Sequence, residues 1–385
     1  MTKKILLITR PIAPPWDEAS KNFAFTLAKD LSDNKNLELH LMTNGQVDEL
    51  PSSVIQEKIY THSQNDFGFF QKLRLFWFLI LNAYKFDILH LLFTPTKFNT
   101  GMMRVVLNIS GSRIFFGKNS GMTDIQSIQT VATLRQDLFS DEELKNLMFG
   151  DLIITYSDFA KEKLLSLGIK NVERIYPGID LENYSPKETR VKNENYALND
   201  FVINFAGEYT RLGAMDDVVE AFIKVSGKIP TAKLSMAVRV KNKKDADNKN
   251  KVVEKLMKNN LLEKVVFHDD GKFNMADIYN MADISIFPVQ NMRGKFDVPL
   301  VVVEAMACAK PVIISNIPIL EEFSNKENSV RIEAGNVEQL TAAILDLHDN
   351  PEKRKKLGIS ARKYVEQNFD IKNVSKQYAE IYEKI

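Results

Sequence analysis

Cysteine is almost missing from this 385-residue chain: Cys308 is the only one, which excludes an internal disulfide and fits a reducing compartment. It sits among apolar residues, where a buried small hydrophobe is expected rather than a nucleophile. Charge imbalance is missing too. Fifty-one Lys and Arg against 50 Asp and Glu leave a formal net charge of +1, which gives no argument for nucleic acid or for a strongly acidic partner. No apolar run reaches the about 20 residues that a bilayer-spanning helix needs, and the strongest, residues 75–81, falls far short. Near the start, Lys3-Lys4 precedes an apolar stretch that Thr9-Arg10 interrupts, with no small-residue cleavage site after it. No secretory signal is read, and a cytoplasmic protein is expected. Gly-x-Gly-x-x-Gly and His-Glu-x-x-His are absent, and the five histidines are scattered. Neither a resident cofactor nor a metal is expected.

What is present is an ordinary globular composition, 44% hydrophobic and 26% charged, over a length that suits two domains. Short apolar runs alternate with helical patterns throughout. Residues 5–9 read as a buried parallel strand, followed by a loop with three prolines and a helix capped by Asp17 or Ser20. Phe23, Leu27 and Leu31 line one face of that helix. Strands follow at 37–43, 86–92, 114–116, 127–130, 151–157 and 172–176, and helices at 71–84 and 158–167. Polar residues 181–199 read as a linker. The second half repeats the alternation, with strands at 201–206, 233–240, 265–268, 283–288, 312–315 and 330–332. Helices are read at 214–225, 252–262, 275–281, 300–309, 337–347 and 351–367, with a last one running to Ile385. Such alternation specifies α/β halves with parallel sheets.

The chemistry gathers at residues 295–315, KFDVPLVVVEAMACAKPVIIS. A charged, Pro-interrupted loop feeds a helix start at Leu300, and Lys310-Pro311 ends the helix before a buried strand. A helix N-terminus offers free N–H groups and a positive dipole end to phosphate. Pro299, Leu300 and Val301 form that end, Lys295 reaches a phosphate from the loop, and Glu304 is placed for a ribose or sugar hydroxyl. The plain alternative is an ordinary helix–strand unit with a surface Glu and Lys. Upstream, Gly207-Glu208-Tyr209-Thr210-Arg211-Leu212-Gly213 is a glycine-edged loop between strand and helix, where a backbone approaches an anion and Arg211 supplies paired donors.

These residues resemble the donor-binding motif of retaining GT-B glycosyltransferases of family 4 type (glycosyl transferases group 1). Glu304-Ala305-Met306-Ala307 and Pro311-Val312-Ile313 match the family pattern, as does the turn Pro177-Gly178-Ile179-Asp180. The chain departs at the family's first Glu, whose place holds Phe296 with Asp297 beside it, and at the Gly before the helix, replaced by Pro299. The family's donor-loop Arg and Lys fall on Glu208 and Gly213, and its catalytic-site His falls on Ala132. Arg211 and Lys295 are read as substitutes for the two cations, with Arg135 a candidate to face the phosphate. His90 lies where the family often has a histidine, and a structural role is expected for it.

The resemblance implies two Rossmann-like domains facing a central cleft. They are an acceptor domain over 1–180 and a nucleotide-sugar domain over 181–365, with a terminal helix, 366–385, packing back on the first. It implies transfer of a hexose from a UDP-, GDP- or other NDP-sugar to a glycan or lipid-linked acceptor, with retention, in glycan biosynthesis. Arg211, Lys295 and Glu304 would carry the reaction. Gly207, Glu208, Phe267, Pro288, Pro299, Leu300 and Val301 would complete the donor site. Asp17, Glu18 and Lys21 are candidates for acceptor hydroxyls or a phosphate, and the sugar would face residues 16–21 and Asn119. Basic and aromatic residues over 67–92 leave two placements for the helix there, against the inner membrane face or buried between the sheet and the second domain, and the second is expected. Two rival readings stand: a sugar-nucleotide-binding protein with lost or altered transfer, and a Rossmann-type oxidoreductase or epimerase, which lacks its glycine fingerprint.

Overall fold

The computed structural model describes residues 2–14, 18–61, 68–111, 125–187, 195–269 and 273–385, and strand and helix counts refer to these. The expected strand at 114–116, together with Trp16, Asp17 and Asn119, lies outside them. The chain divides into two units, Met1–Ile179 with Asp370–Ile385, and Asp180–Phe369.

The first unit opens with β1 (Lys3–Ile12), α1 (Ala19–Leu31), β2 (Leu37–Thr43) and β3 (Ile55–Glu57). It continues with α2 (Phe69–Asn82), β4 (Ile88–Leu91), α3 (Lys97–Gly111), β5 (Gln126–Val131) and α4 (Asp141–Leu147), then β6 (Leu152–Thr155), α5 (Asp158–Ser166) and β7 (Val172–Arg174). All seven strands run parallel in the order β3-β2-β1-β4-β5-β6-β7. Ile5, Leu6, Leu7 and Ile8 are fully buried, because helices cover both faces of a parallel sheet.

Three local expectations need correction. Ser20 lies inside α1 and Glu18 holds its N-cap position without a side-chain cap, so the buried Phe23, Leu27 and Leu31 hold that helix instead. Helices α3 and α4 were not anticipated. α3 is rich in weak helix formers and exists because Met102, Met103 and Val106 bury in the core beside α2. α4 carries a readable signal, a Ser140–Glu143 capping box. On α2 only Gln71, Leu75 and Leu79 are buried, the two leucines within the core of the first unit, so the helix as a whole is not buried as expected.

The second unit contains β8 (Phe201–Gly207), α6 (Met215–Ser226), β9 (Ala232–Val238), α7 (Lys243–Lys258), β10 (Val265–Phe267), α8 (Met275–Met281) and β11 (Ile284–Phe287). After these come α9 (Leu300–Ala307), β12 (Val312–Ser315), α10 (Pro318–Glu321), β13 (Ser329–Ile332), α11 (Val337–Asp349) and α12 (Pro351–Asn368). Its six strands are parallel, in the order β10-β9-β8-β11-β12-β13. α9 stops short of the expected Ala309. The Lys310 N–H donates to the Ala305 carbonyl and the Ala309 N–H to Met306, a Schellman closure with Ala309 at φ +55° where glycine is usual.

The final helix, α13 (Ile371–Lys384), belongs to the first unit. α12 runs on past residue 366, and the Asp370 side chain accepts from the Lys372 N–H at 3.0 Å to start α13, so the division falls at 369/370. Val374, Tyr378 and Tyr382 bury their side chains in that unit. The Tyr382 hydroxyl lies 2.6 Å from His90 Nδ1, and His90 Nε2 lies 2.7 Å from Thr130 Oγ1. Tyr378 stacks on the same imidazole at 5.6 Å between ring centres and meets Phe23 of α1 at 6.1 Å. Burial pushes His90 down to about 3, so it serves as a neutral structural histidine, as its sequence context implied.

Candidate functional site

Strand order decides where the chemistry-bearing loops meet. β8 comes first in its unit, with β9 on one side and β11 on the other. The winding therefore reverses between β8 and β11, and loops leaving the C-terminal ends of strands at such a switch point open a crevice. Loop 208–214 follows β8, loop 288–299 follows β11, and Lys241 stands just past the end of β9.

The two loops are tied together. The Gln290 N–H donates to the Leu212 carbonyl at 2.8 Å, and Gln290 Nε2 donates to Asp217 of α6 at 3.0 Å. Gly213 sits at φ +73°, and a Cβ there would lie 3.0 Å from the Gln290 side chain. At Gly207 a Cβ would come within 2.7 Å of the Phe205 ring, so the loop leaves the sheet over a buried aromatic that admits no side chain.

Three cations converge on one carboxylate in this loop pair. Glu208 Oε2 accepts from Arg211 Nε at 2.6 Å, and Oε1 accepts from Arg211 Nη2 at 2.5 Å, Lys295 Nζ at 2.5 Å and Lys241 Nζ at 3.1 Å. Arg211 Nη1 also donates to the Gly294 carbonyl at 3.4 Å. The Glu208 side chain is 8% exposed, against 49% for Arg211, 42% for Lys241 and 29% for Lys295, so the acid lies beneath and the cations reach solvent. Burial alone would raise the Glu208 carboxyl. Hydrogen bonds from Arg211 and Lys295, with the charges of Lys295 and Lys241, overcome that and hold it at about 2. Burial pushes the Lys295 ammonium down, against the pull of Glu208. Three cations against Glu208, with the buried Asp245 acting on Arg211 as well, leave a formal net +1 that suits an anion.

Pro299 takes the N-cap position of α9, and the Val302 N–H donates to the Pro299 carbonyl at 3.0 Å. The N–H groups of Leu300 and Val301 lie ahead of the first N–H that bonds within the helix. One turn on, Glu304 Oε2 accepts from the buried Tyr279 hydroxyl of α8 at 2.9 Å. Burial pushes the Glu304 carboxyl up to about 7, opposed by hydrogen bonds from Tyr279 and Tyr184. Asp297, beside Phe296, is buried.

Of the sequence candidates, the structure brings together Gly207, Glu208, Arg211 and Lys295. Glu304 stands in its own group with Tyr279 and Tyr184. Phe267 ends β10 at the sheet edge, with Lys249 Nζ over its ring at 5.0 Å, and Pro288 opens the β11 loop. In the first unit Arg135 is bonded twice to Asp137, at 2.8 and 2.9 Å. Lys21 is buried with Nζ donating to the Ala13 carbonyl at 3.1 Å, and the part-exposed Glu18 pairs with Arg10 at 2.9 Å. Lys241, not among the sequence candidates, joins the cluster through its side chain. Nothing local distinguishes it from Lys243 and Lys244. Gln290, Tyr279 and Tyr184 were likewise not singled out. Among the described residues no group of three or more His, Cys, Asp or Glu could hold a metal ion.

Glu304 gives this site a pH signature. Its carboxyl titrates near 7 in the folded chain instead of 4.5, so the folded state holds an extra proton between those values. That contribution to stability is full below about 4.5 and is lost as pH rises to about 7. Glu304→Gln should flatten the fall in stability over this interval, measured by denaturant unfolding against pH. An unchanged slope would assign it to another group.

Residues 186–364 match the model of the family Glycosyl transferases group 1. Among curated proteins, the chain is 21% identical over 322 residues to an uncharacterised glycosyltransferase of Methanocaldococcus jannaschii, covering 80% of this chain and 79% of that one. Its fold is similar to that of Anabaena HepE in complex with UDP-glucose, with a TM-score of 0.76 and 16% identity over the whole of both chains. It is also similar to sucrose-phosphate synthase from Thermosynechococcus elongatus, with a TM-score of 0.76, 16% identity and coverage of 100% and 99%. These likenesses bear out the expected fold, a GT-B architecture of two Rossmann-like α/β domains.

Proposed function

We propose that the protein is a glycosyltransferase that moves a hexose from a nucleoside-diphosphate sugar to a glycan or lipid-linked acceptor with retention of configuration. The observation that carries this reading is the set of Arg211, Lys241 and Lys295 held on Glu208 at the switch point of the second sheet. When the bond between the sugar's anomeric carbon and the phosphate oxygen breaks, the diphosphate gains charge. Cations already in place lower that barrier without reorganising. The Leu300 and Val301 N–H groups would share the same phosphates, Glu304 the ribose hydroxyls, and the loops at Phe267 and Pro288 the base. With no side chain here assigned as nucleophile, attack by the acceptor on the face the diphosphate leaves accounts for retention. The match over residues 186–364 and the UDP-glucose complex of the Anabaena protein support a donor of this class.

A thermal-shift panel of UDP, GDP, ADP and their sugars tests the reading. One nucleoside diphosphate is expected to raise Tm by several degrees, from about 2.7 kcal/mol of stabilisation at a hundredfold excess over Kd. No shift with any of them would sink it. A specific observation favours a second reading, binding without transfer: Ala132 is apolar and buried at the expected histidine position. A donor that shifts Tm but releases no sugar with any acceptor, and none by hydrolysis, would select that one.

A further inference from the structure

Helix α2 has two apolar faces. Gln71, Leu75 and Leu79 are buried, whereas Phe69, Phe70, Leu73, Trp77 and Leu81 are exposed, Phe70 at 78% and Trp77 at 55%. At about 100° per residue the exposed stripe lies roughly 170° from the buried one, so it is a separate surface and not a frayed edge of the core. It is about 18 Å long at 1.5 Å per residue. The neighbouring α3 extends it with exposed Phe98 and Val105, and Lys72 Nζ lies 5.5 Å from the Phe98 ring centre. Single exposed apolar residues are ordinary; this many on two adjoining helices mark a contact surface.

Charge selects the occupant. From residue 68 to 111 the chain carries Lys72, Arg74, Lys85, Lys97 and Arg104 against a single acid, Asp87, whose carboxylate accepts from the Lys4 N–H. Lys97 is paired with Glu143, and Arg104 donates to the carbonyls of Asn146 and Met148. Lys72 and Arg74 are carried by α2 itself, and Lys85 follows it, donating to Asn82 Oδ1 at 2.8 Å. A second copy of this chain seated there would oppose Lys72 and Arg74 to their own counterparts, with no acid on α2 or α3 to neutralise them. An anionic bilayer meets both demands, since its acyl boundary takes Phe, Leu and Trp while its headgroups take the cations. We propose that the α2–α3 face docks this protein on an anionic phospholipid surface, with α2 lying in the plane of the interface. Among the described residues no helix is long and apolar enough to cross the bilayer.

The test uses the full chain with vesicles of phosphatidylcholine alone or mixed with phosphatidylglycerol, read by flotation. Binding is expected on the mixed vesicles and to fall with salt. Lys72→Gln with Arg74→Gln should weaken it by roughly 30-fold, from about 1 kcal/mol per cation. Phe70→Ser with Trp77→Ser should abolish it, and both substitutions are exposed, so the fold is kept. In a Trp16→Phe background Trp77 is the one tryptophan left, and its emission should shift to the blue on mixed vesicles. No flotation on phosphatidylglycerol at low salt, or flotation unaltered by the Phe70/Trp77 pair, overturns the proposal. So does a doubling of mass in solution that the same pair removes, which would give the face to a second copy. Nucleoside-diphosphate binding should be the same in all these variants, so the outcome is independent of the donor reading.

Discussion

Replacing Arg211 and Lys295 together with alanine is expected to weaken nucleoside-diphosphate binding by about a hundredfold to ten-thousandfold. Each would remove a charge-assisted hydrogen bond to phosphate, worth roughly 1.5–3 kcal/mol, and 1.4 kcal/mol is tenfold. Single variants should lose about tenfold or more. Their effects need not add, because both cations share Glu208 with Lys241. The same sharing gives the control. Stripping cations from a buried carboxylate leaves it poorly compensated and should lower Tm by itself. Adding Glu208→Gln to the double variant should recover Tm, because the uncompensated charge is gone, yet leave affinity low. Calorimetric titration and thermal unfolding of the same samples separate the two effects. If affinity survives in the double variant while it stays folded, the cluster is not the diphosphate site.

Truncation after Asp370 should unfold the first unit. It removes Ile371, Val374, Tyr378 and Tyr382, all buried there. At about 1.5–3 kcal/mol each, their loss is comparable with the whole stability of a domain. Point variants resolve the cause. Tyr382→Ala should cost roughly 3–5 kcal/mol as a core cavity. Tyr382→Phe keeps the ring and removes only the hydroxyl beside His90 Nδ1, so about 1–3 kcal/mol is expected for a buried nitrogen left without that partner. Denaturant unfolding gives these values, and limited proteolysis shows which unit opens. A truncated chain whose residues 1–179 stay as protected as in the full chain would contradict this account of α13.

The two outcomes draw on different kinds of information. Residue pattern was enough for most elements, because 3.6- and 2-residue periods and caps act locally. Helix α8 and strand β12 fall where the apolar spacing placed them, and Ser157 accepts the Ala160 N–H at 3.0 Å as a cap should. α3 was illegible because its stability comes from packing beside α2 rather than from its own residues. Arg211 and Lys295 were legible as candidate cations, since each follows a strand in a loop edged by glycine or proline. Lys241 was not, because a lysine in a run of lysines carries no local mark.

The sequence by itself determined the alternation of strands and helices, the parallel character of both sheets and the residue types available for an anion. Tertiary structure alone decided which of those residues meet. Strand order, not spacing along the chain, placed Glu208, Lys241 and Lys295 around one point. It also gave α13 to the first unit, where Tyr382 reaches His90 across 292 positions. The physical reason is range: propensity and periodicity act within a few residues, whereas burial and ion pairing act through space and depend on which strands become neighbours.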